Sequence, residues 1–132
     1  PKTTIMNQFS FERLAVWQDS RELAKIIYLA TKEFPLDEKF GLVSQIRRSA
    51  ISVSSNIVEG SYRSTNKDKI NFMNIAFSSL MELLSQIIIS NDLEYITDKQ
   101  LIQIRSKIEK TSNKLSSLSD YFKRVAPRKS TK

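Results

Sequence analysis

Apolar residues recur at alternating steps of three and four along four separate stretches of the sequence. In the second stretch, Val43, Ile46, Ala50, Val53 and Ile57 follow this spacing without a break. Because about 3.6 residues complete one turn, residues spaced in this way line one side of an α-helix. The pattern therefore predicts four amphipathic helices, at about 12–33, 38–59, 66–90 and 97–122.

Residues that start or stop helices stand between these stretches. Pro35 ends the first helix, because the residue before a proline is pushed out of the helical region. We expect Gly60 to cap the end of the second helix and Asn66 to cap the start of the third. Thr97 and Gln100 have the spacing of a capping box, which predicts the start of the fourth helix.

The connections between the predicted helices are short, so consecutive helices run antiparallel. The sequence therefore predicts an all-α fold, an antiparallel up-down-up-down four-helix bundle formed as one domain by residues 1–122. Residues 123–132 are expected to form a disordered basic tail. Its five cations, with no acidic residue among them, are Lys123, Arg124, Arg128, Lys129 and Lys132. Such a tail either contacts phosphate groups or is a solvated terminus.

The composition removes most routes to catalysis. The chain has no histidine and no cysteine, which excludes the commonest general base, the commonest transition-metal ligands and thiol chemistry. Its two glycines cannot form a phosphate-binding glycine-rich loop. We therefore expect no enzymatic activity, no metal and no cofactor. No uninterrupted apolar run is long enough to cross a bilayer, so the prediction is a cytoplasmic protein without a membrane partner.

The second helix is unusually polar and carries two adjacent arginines, Arg47 and Arg48. Glu59 and Glu82 stand beside apolar residues, so the first hypothesis is that one or both pair with these arginines and hold neighbouring helices in register. The other hypothesis is that Arg47 and Arg48 face phosphate groups. The many serines of this helix either allow close helix packing or form a polar seam between subunits.

More cations surround the second connection, where Arg63, Lys67 and Lys69 lie near Tyr62. Basic residues beside an aromatic ring can contact phosphate and stack a base. The alternative is an ordinary solvated loop, because Asp68 lies among them. The net charge of +7 favours binding to phosphate groups. Most of this charge belongs to the tail, since the remaining chain is almost balanced.

Several apolar residues lie outside the helical stripes, among them Ile51 on the second helix and Ile75, Leu83 and Ile89 on the third. They either widen the buried stripe or form a second apolar face that another subunit covers. Because the third helix is apolar on two sides, we expect the protein to self-associate.

Two polar motifs and several flanking segments resemble a known family. A Gln-x-Arg-Arg stretch ends at Arg48, and a Ser-Asn-Ile-x-Glu-Gly stretch ends at Gly60. Together with segments 11–17, 34–35, 40–44 and 75–82, they resemble the bacterial four helix bundle proteins encoded in intervening sequences of 23S ribosomal RNA genes. The resemblance covers about 9–97. Ser78 or Ser79 stands where this family often has a glycine.

The resemblance implies an antiparallel four-helix bundle that assembles into a ring, commonly a pentamer, and it implies no enzymatic activity. The family includes relatives of the accessory variability protein of diversity-generating retroelements, which binds nucleic acid and a reverse transcriptase. Two functions therefore stay open for this chain. One is a homo-oligomer that binds RNA or DNA, and the other is a structural adaptor that binds a protein partner without nucleic acid.

Overall fold

Four α-helices make up most of residues 7–125, the part of the chain that the computed structural model describes. They are α1 (Ala15–Thr31), α2 (Leu42–Ser61), α3 (Asn66–Asp92) and α4 (Asp98–Arg124). Each helix packs against the next one, and α4 returns to pack against α1. No strand occurs within these residues. The arrangement confirms the predicted all-α, up-down-up-down bundle.

The first two helices begin later than predicted, because short 3-10 turns occupy the residues before them. Ser10–Arg13 forms the first turn, in which the Glu12 carboxylate accepts a hydrogen bond of 2.7 Å from the Phe9 N–H. Leu14 is extended and separates this turn from α1. Leu36–Glu38 forms the second turn, ahead of α2. Both turns satisfy backbone groups that would otherwise have no partner.

The capping residues agree with the sequence at one helix and differ at another. Thr97 and Gln100 form the predicted capping box of α4. The cap of α3 is Thr65, one residue before the predicted Asn66, because the Thr65 hydroxyl accepts a hydrogen bond of 3.1 Å from the Asp68 N–H. The side chain of Asn66 is engaged elsewhere, as described below.

Gly60 does not form the predicted left-handed cap. It lies inside α2, is buried and has no positive φ. A Cβ atom added to Gly60 would lie 2.7 Å from Phe72 Cβ and 2.5 Å from Met73 Cε, both on α3. Real side chains do not approach so closely, so the glycine is required for the close contact of α2 with α3.

The buried stripe of α3 differs from the predicted one. Steps of four and three from Met73 through Phe77 to Leu80 predict Phe77 in the core and leave Leu83 outside it, whereas Leu83 is fully buried and Phe77 is 40% exposed. Buried α3 residues of the observed stripe are Met73, Ala76, Leu80, Leu83 and Ile87. Because α3 is apolar on two sides, the spacing alone allowed either stripe, and packing against α2 and α4 selects the observed one.

Buried hydroxyl groups interrupt the apolar core without leaving orphaned donors. Thr111 replaces an apolar residue in the α4 stripe, as predicted, and its hydroxyl donates to the Lys107 carbonyl at 2.9 Å. Ser90 donates in the same way to the Gln86 carbonyl at 2.8 Å. These bonds within a helix satisfy the buried polar groups and let small side chains occupy the helix contacts.

One helix in the described chain, α3, has the length and mean hydropathy of a membrane span. In the bundle it lies between α2 and α4, and 39% of its most apolar window is buried there. Exposed polar residues such as Ser78, Glu82 and Ser85 interrupt its outer surface. The inner side of α3 is therefore buried in the bundle, while its outer side mixes polar and apolar side chains.

Candidate nucleic-acid interface

The second connection and the end of α4 meet at one end of the bundle. The side-chain amide of Asn66 donates a hydrogen bond of 3.1 Å to the Val125 carbonyl. The ammonium group of Lys69 lies 5.1 Å from the centre of the Phe122 ring. Two groups of cations that are about 60 residues apart in the sequence therefore share one surface. We call this surface the basic end and define it by Arg63, Lys67, Lys69, Lys123 and Arg124.

Lys123 and Arg124 belong to the last turn of α4 rather than to the predicted disordered tail. Cations are favourable there because the last turn of a helix presents partly negative, unpaired carbonyl groups. Both side chains are exposed and form no ion pair within residues 7–125. The predicted tail residues Arg128 and Lys129 follow directly in the sequence but lie outside the described residues.

The cations of the second connection differ in how far the fold already uses them. Arg63 forms an ion pair of 3.2 Å with Glu59, and its guanidinium group stacks on Phe72 at 4.4 Å. Lys67 is exposed and has no ion pair in the described chain. Lys67, Lys123 and Arg124 are therefore the basic-end cations whose charge is most available to a ligand.

Two exposed aromatic side chains flank these cations. Tyr62 is 56% exposed and Tyr121 is 50% exposed. The Tyr62 hydroxyl contacts the Ser10 hydroxyl at 3.0 Å, which fixes the N-terminal turn against the end of α2. Tyr121 packs edge-on against Phe122, with 5.7 Å between the ring centres. An exposed ring held in this way can stack an unpaired base at a small entropic cost.

The structure separates Arg47 from this surface and contradicts its predicted pairing with a glutamate. Arg47 Nε donates to the Thr31 hydroxyl at 2.9 Å, and its guanidinium group lies 4.5 Å from the centre of the Tyr28 ring. A second bond, of 3.3 Å, runs from Arg47 Nη2 to the Tyr28 carbonyl. A cation is favourable beside the last carbonyls of α1, so Arg47 joins α2 to α1 without a carboxylate.

The other members of the predicted ion pair are also not joined within the described chain. Glu59 pairs with Arg63 instead, while Arg48 and Glu82 are exposed and have no charged partner within 4 Å. Arg48 is 13 residues before Ser61, the last residue of α2, and therefore about 20 Å from the basic end. The structure does not place it with the other predicted nucleic-acid contacts.

Arg48 and Glu82 instead lie on the outer face of α2 and α3. The two helices are joined there by a hydrogen bond of 2.8 Å between the hydroxyls of Ser52 and Ser79. Arg48 and Glu82 are each about one turn from this bond, at neighbouring levels because the helices are antiparallel. Three isoleucines on this face are 39–46% exposed: Ile51, Ile75 and Ile89.

The ion pairs between helices join α1 and α4, and they were not predicted. Asp19 is buried and contacts Lys114 at 2.5 Å and Lys110 at 3.9 Å. Glu22 contacts Lys107 at 2.6 Å, and this hydrogen bond and charge hold the pKa of the Glu22 carboxyl below its ordinary value. Lysines at 107, 110 and 114 have helical spacing, which was the available signal in the sequence.

No group of three or more acidic side chains in residues 7–125 has the geometry of a metal site. The basic end presents cations and phenols, and these groups can bind phosphate and stack bases.

The sequence model of the 23S rRNA-intervening sequence proteins matches residues 12–117. The chain belongs to this family. A solved structure is similar in fold: a protein of unknown function from the S23 ribosomal protein family of Bacteroides thetaiotaomicron. It is 28% identical, with a TM-score of 0.72, and the match covers 80% of this chain and 98% of that one. No curated protein of known function matches this chain.

Membership of the 23S rRNA-intervening sequence protein family confirms the resemblance seen in the polar motifs. Neither the family description nor the Bacteroides protein indicates an enzyme. The family match ends at residue 117, before the cations of the last turn of α4. The basic end thus combines Arg63, Lys67 and Lys69 from the matched region with Lys123 and Arg124 from beyond it.

Proposed function

We propose that this protein is a non-enzymatic, self-associating bundle of the bacterial cytoplasm that binds RNA or another nucleic acid at its basic end. The contact between Asn66 and Val125 carries the proposal, because it joins two cationic segments that are about 60 residues apart in the sequence. The basic end holds five cations against three carboxylates, those of Glu59, Asp68 and Asp120. Residues that follow Val125 add further cations, including Arg128 and Lys129.

Lys67, Lys123 and Arg124 would contact phosphate groups, while Tyr62 and Tyr121 would stack on unpaired bases. Phosphate contacts position a nucleic acid without reading its sequence, and stacking accepts any base. Single-stranded or looped RNA therefore fits this surface better than a regular duplex, whose bases are already stacked. Arg47 has no part in this binding, because its bonds to Thr31 and Tyr28 place it near the opposite end of the bundle.

Self-association would use the outer face of α2 and α3. Three partly exposed isoleucines supply the apolar contact area, and burying each one fully stabilises an interface by about 1–2 kcal/mol. Arg48 and Glu82 supply one charge of each sign, so one copy can pair with the next. A ring, and a pentamer in particular, is the assembly that the family resemblance implies.

Fluorescence anisotropy with a structured RNA and a DNA of matched sequence tests the nucleic-acid proposal. We compare the full chain with the triple variant Lys67→Gln, Lys123→Gln, Arg124→Gln. A matched control, Lys25→Gln, Lys99→Gln, Arg105→Gln, removes the same charge from exposed sites remote from the basic end. Loss of about three phosphate contacts lowers affinity by one to two orders of magnitude near physiological salt and flattens the salt dependence.

A chain that ends at Val125 separates the basic end from the residues that follow. It keeps the Asn66–Val125 contact, so the comparison does not disturb the fold. If the shortened chain still binds and the triple variant does not, the contact is on the bundle. Equal weakening by the triple variant and its control would contradict the proposed site. Absence of binding in all forms would favour the alternative, an adaptor that binds only proteins.

A further inference from the structure

The bundle end opposite to the basic end carries the two most exposed large apolar side chains of the described residues. Leu36 and Phe40 are each 89% exposed and lie four positions apart on the connection between α1 and α2. Burying a leucine or phenylalanine side chain is worth about 1.5–3 kcal/mol, so this pair is a substantial unused source of binding energy.

The connection that carries Leu36 and Phe40 is held in place by the rest of the bundle. Successive turns are closed by bonds from Lys39 N–H to the Leu36 carbonyl at 3.1 Å and from Gly41 N–H to the Glu38 carbonyl at 3.1 Å. The Tyr95 hydroxyl donates to the Glu38 carboxylate at 2.9 Å. A partner that binds here meets a formed surface and does not have to order it.

The surroundings of this apolar pair are acidic on balance, with one cation close by: the Lys39 ammonium group lies 5.4 Å from the centre of the Phe40 ring. The hydrogen bond from Tyr95 to Glu38 brings the first and third connections together. Segments 32–40 and 91–99 carry six carboxylates and three lysines. None of these carboxylates is in an ion pair within the part of the chain that the structure describes. The six are Glu33, Asp37, Glu38, Asp92, Glu94 and Asp98.

We propose that this acidic end, with Leu36 and Phe40 at its centre, docks a positively charged amphipathic segment of another protein. Nucleic acid and anionic lipid are unsuitable occupants, because the carboxylates repel their phosphates. A segment with lysine or arginine around apolar anchors satisfies both features of the surface at once. Its apolar side chains cover Leu36 and Phe40, while its cations steer it towards the carboxylates.

Residues 126–132 are not the occupant within their own bundle. α4 has 27 residues and is therefore about 40 Å long, and Val125 is at its far end. Residues 126–132 span at most about 25 Å, so they do not reach the acidic end of their own bundle. The basic end of a second copy is a poorer fit, because its large exposed side chains are Phe9, Tyr62 and Tyr121, and none is aliphatic.

Fluorescence anisotropy with designed helical peptides tests this proposal. The probe is a labelled peptide of about 18 residues with leucine at helical spacing and lysine elsewhere. Two peptides of the same length replace either leucine with serine or lysine with glutamate. We expect the leucine and lysine peptide to bind the full chain, and each altered peptide to bind at least about tenfold more weakly.

Variants of the full chain locate the binding site. Leu36→Ser with Phe40→Ser, and separately Glu33→Lys with Asp37→Lys, should each weaken peptide binding at least about tenfold. All four side chains are exposed, so the fold is retained, and circular dichroism verifies this. Phe9→Ser removes an exposed aromatic residue of the other end and should leave peptide binding unchanged.

Four outcomes would overturn the proposal. The first is that the leucine and lysine peptide does not bind, and the second is that either altered peptide binds as tightly as it does. The third is that Phe9→Ser weakens peptide binding as much as the acidic-end variants do. The fourth is that Leu36→Ser with Phe40→Ser lowers the assembly mass. The last result, from light scattering, would identify the occupant as a second copy. None of them bears on RNA binding at the basic end, which uses other residues.

Discussion

Lys114 on α4 reaches across the bundle to the buried carboxylate of Asp19 on α1, with 2.5 Å between Lys114 Nζ and Asp19 Oδ2. The Asp19 side chain is 10% exposed, so the carboxylate depends on this lysine more than on water. Lys110 is more distant, at 3.9 Å, and its own side chain is 54% exposed. Lys114 therefore contributes more to the stability of the fold than Lys110 does, although both lysines are on the same helix and near the same carboxylate.

Lys114→Ala should destabilise the bundle by about 1–3 kcal/mol, because it leaves a buried carboxylate without its close partner. Lys110→Ala is the matched control and should cost less than about 1 kcal/mol, as expected for a solvent-exposed pair. Urea denaturation at constant m-value measures both changes. A larger loss for Lys110→Ala than for Lys114→Ala would contradict this assignment.

Gly60→Ala should destabilise the contact between α2 and α3. Alanine is a better helix former by about 1 kcal/mol, but its Cβ would lie 2.7 Å from Phe72 Cβ, an atom that cannot move without its helix. Overpacking of this kind costs about 1–3 kcal/mol, so the net effect is destabilising. Thermal denaturation should show a lower Tm than for Ser44→Ala, a control at an exposed α2 position. Equal Tm values for the two variants would show that α2 and α3 adjust freely.

The contact between Tyr95 and Glu38 predicts a loss of stability at alkaline pH. The hydrogen bond to the Glu38 carboxylate raises the pKa of the Tyr95 phenol above its ordinary value. Its stabilising contribution is therefore complete below the unfolded pKa, near 10, and is lost as pH rises through the folded pKa.

Tm measured between about pH 8 and 11 should fall less steeply for Tyr95→Phe than for the unaltered chain. Tyr121→Phe removes an exposed phenol that has no hydrogen-bond partner among the described residues, and it should follow the unaltered chain. Parallel curves for Tyr95→Phe and the unaltered chain would rule out this contribution.

A charge exchange tests whether Arg48 and Glu82 join two copies of the chain. Arg48→Glu and Glu82→Arg should each reduce the assembly mass in light scattering, because each places like charges opposite one another. The double variant restores opposite charges and should recover the larger mass. If the unaltered protein has a mass near the 15.2 kDa of one chain, it does not self-associate, and Arg48 and Glu82 do not join two copies.

Most of the helix pattern could be predicted from the sequence, because the first and third connections carry clear chemical signals. Pro35 predicted the end of the first helix and the capping box at Thr97 predicted the start of the fourth, and both lie at helix boundaries in the structure. The inner side of α3 could not be fixed, because Phe77 and Leu83 are both apolar and both at helical spacing. Only packing against α2 and α4 distinguishes them, and that information is not local.

The basic end could be predicted only in part, because local sequence signals do not show which helix ends lie together. Local clustering indicated Arg63, Lys67 and Lys69, but their proximity to Lys123 depends on the bundle topology. The pairing of Arg47 was mispredicted because its partners are a hydroxyl, a carbonyl and an aromatic ring. A search for opposite charges overlooks such partners, although they engage two of the guanidinium donors and the face of the cation.

An even number of alternating helices returns the chain to the end from which it started. Ser10 is bonded to Tyr62 and Val125 to Asn66, so both outer segments leave the bundle beside the second connection. Sequence attached to either terminus is therefore tethered at a high effective concentration near Lys67 and Arg124. An affinity tag or fluorophore fused there would compete with ligands of this surface, whereas a label on the first connection is about 40 Å away and can report binding without interfering.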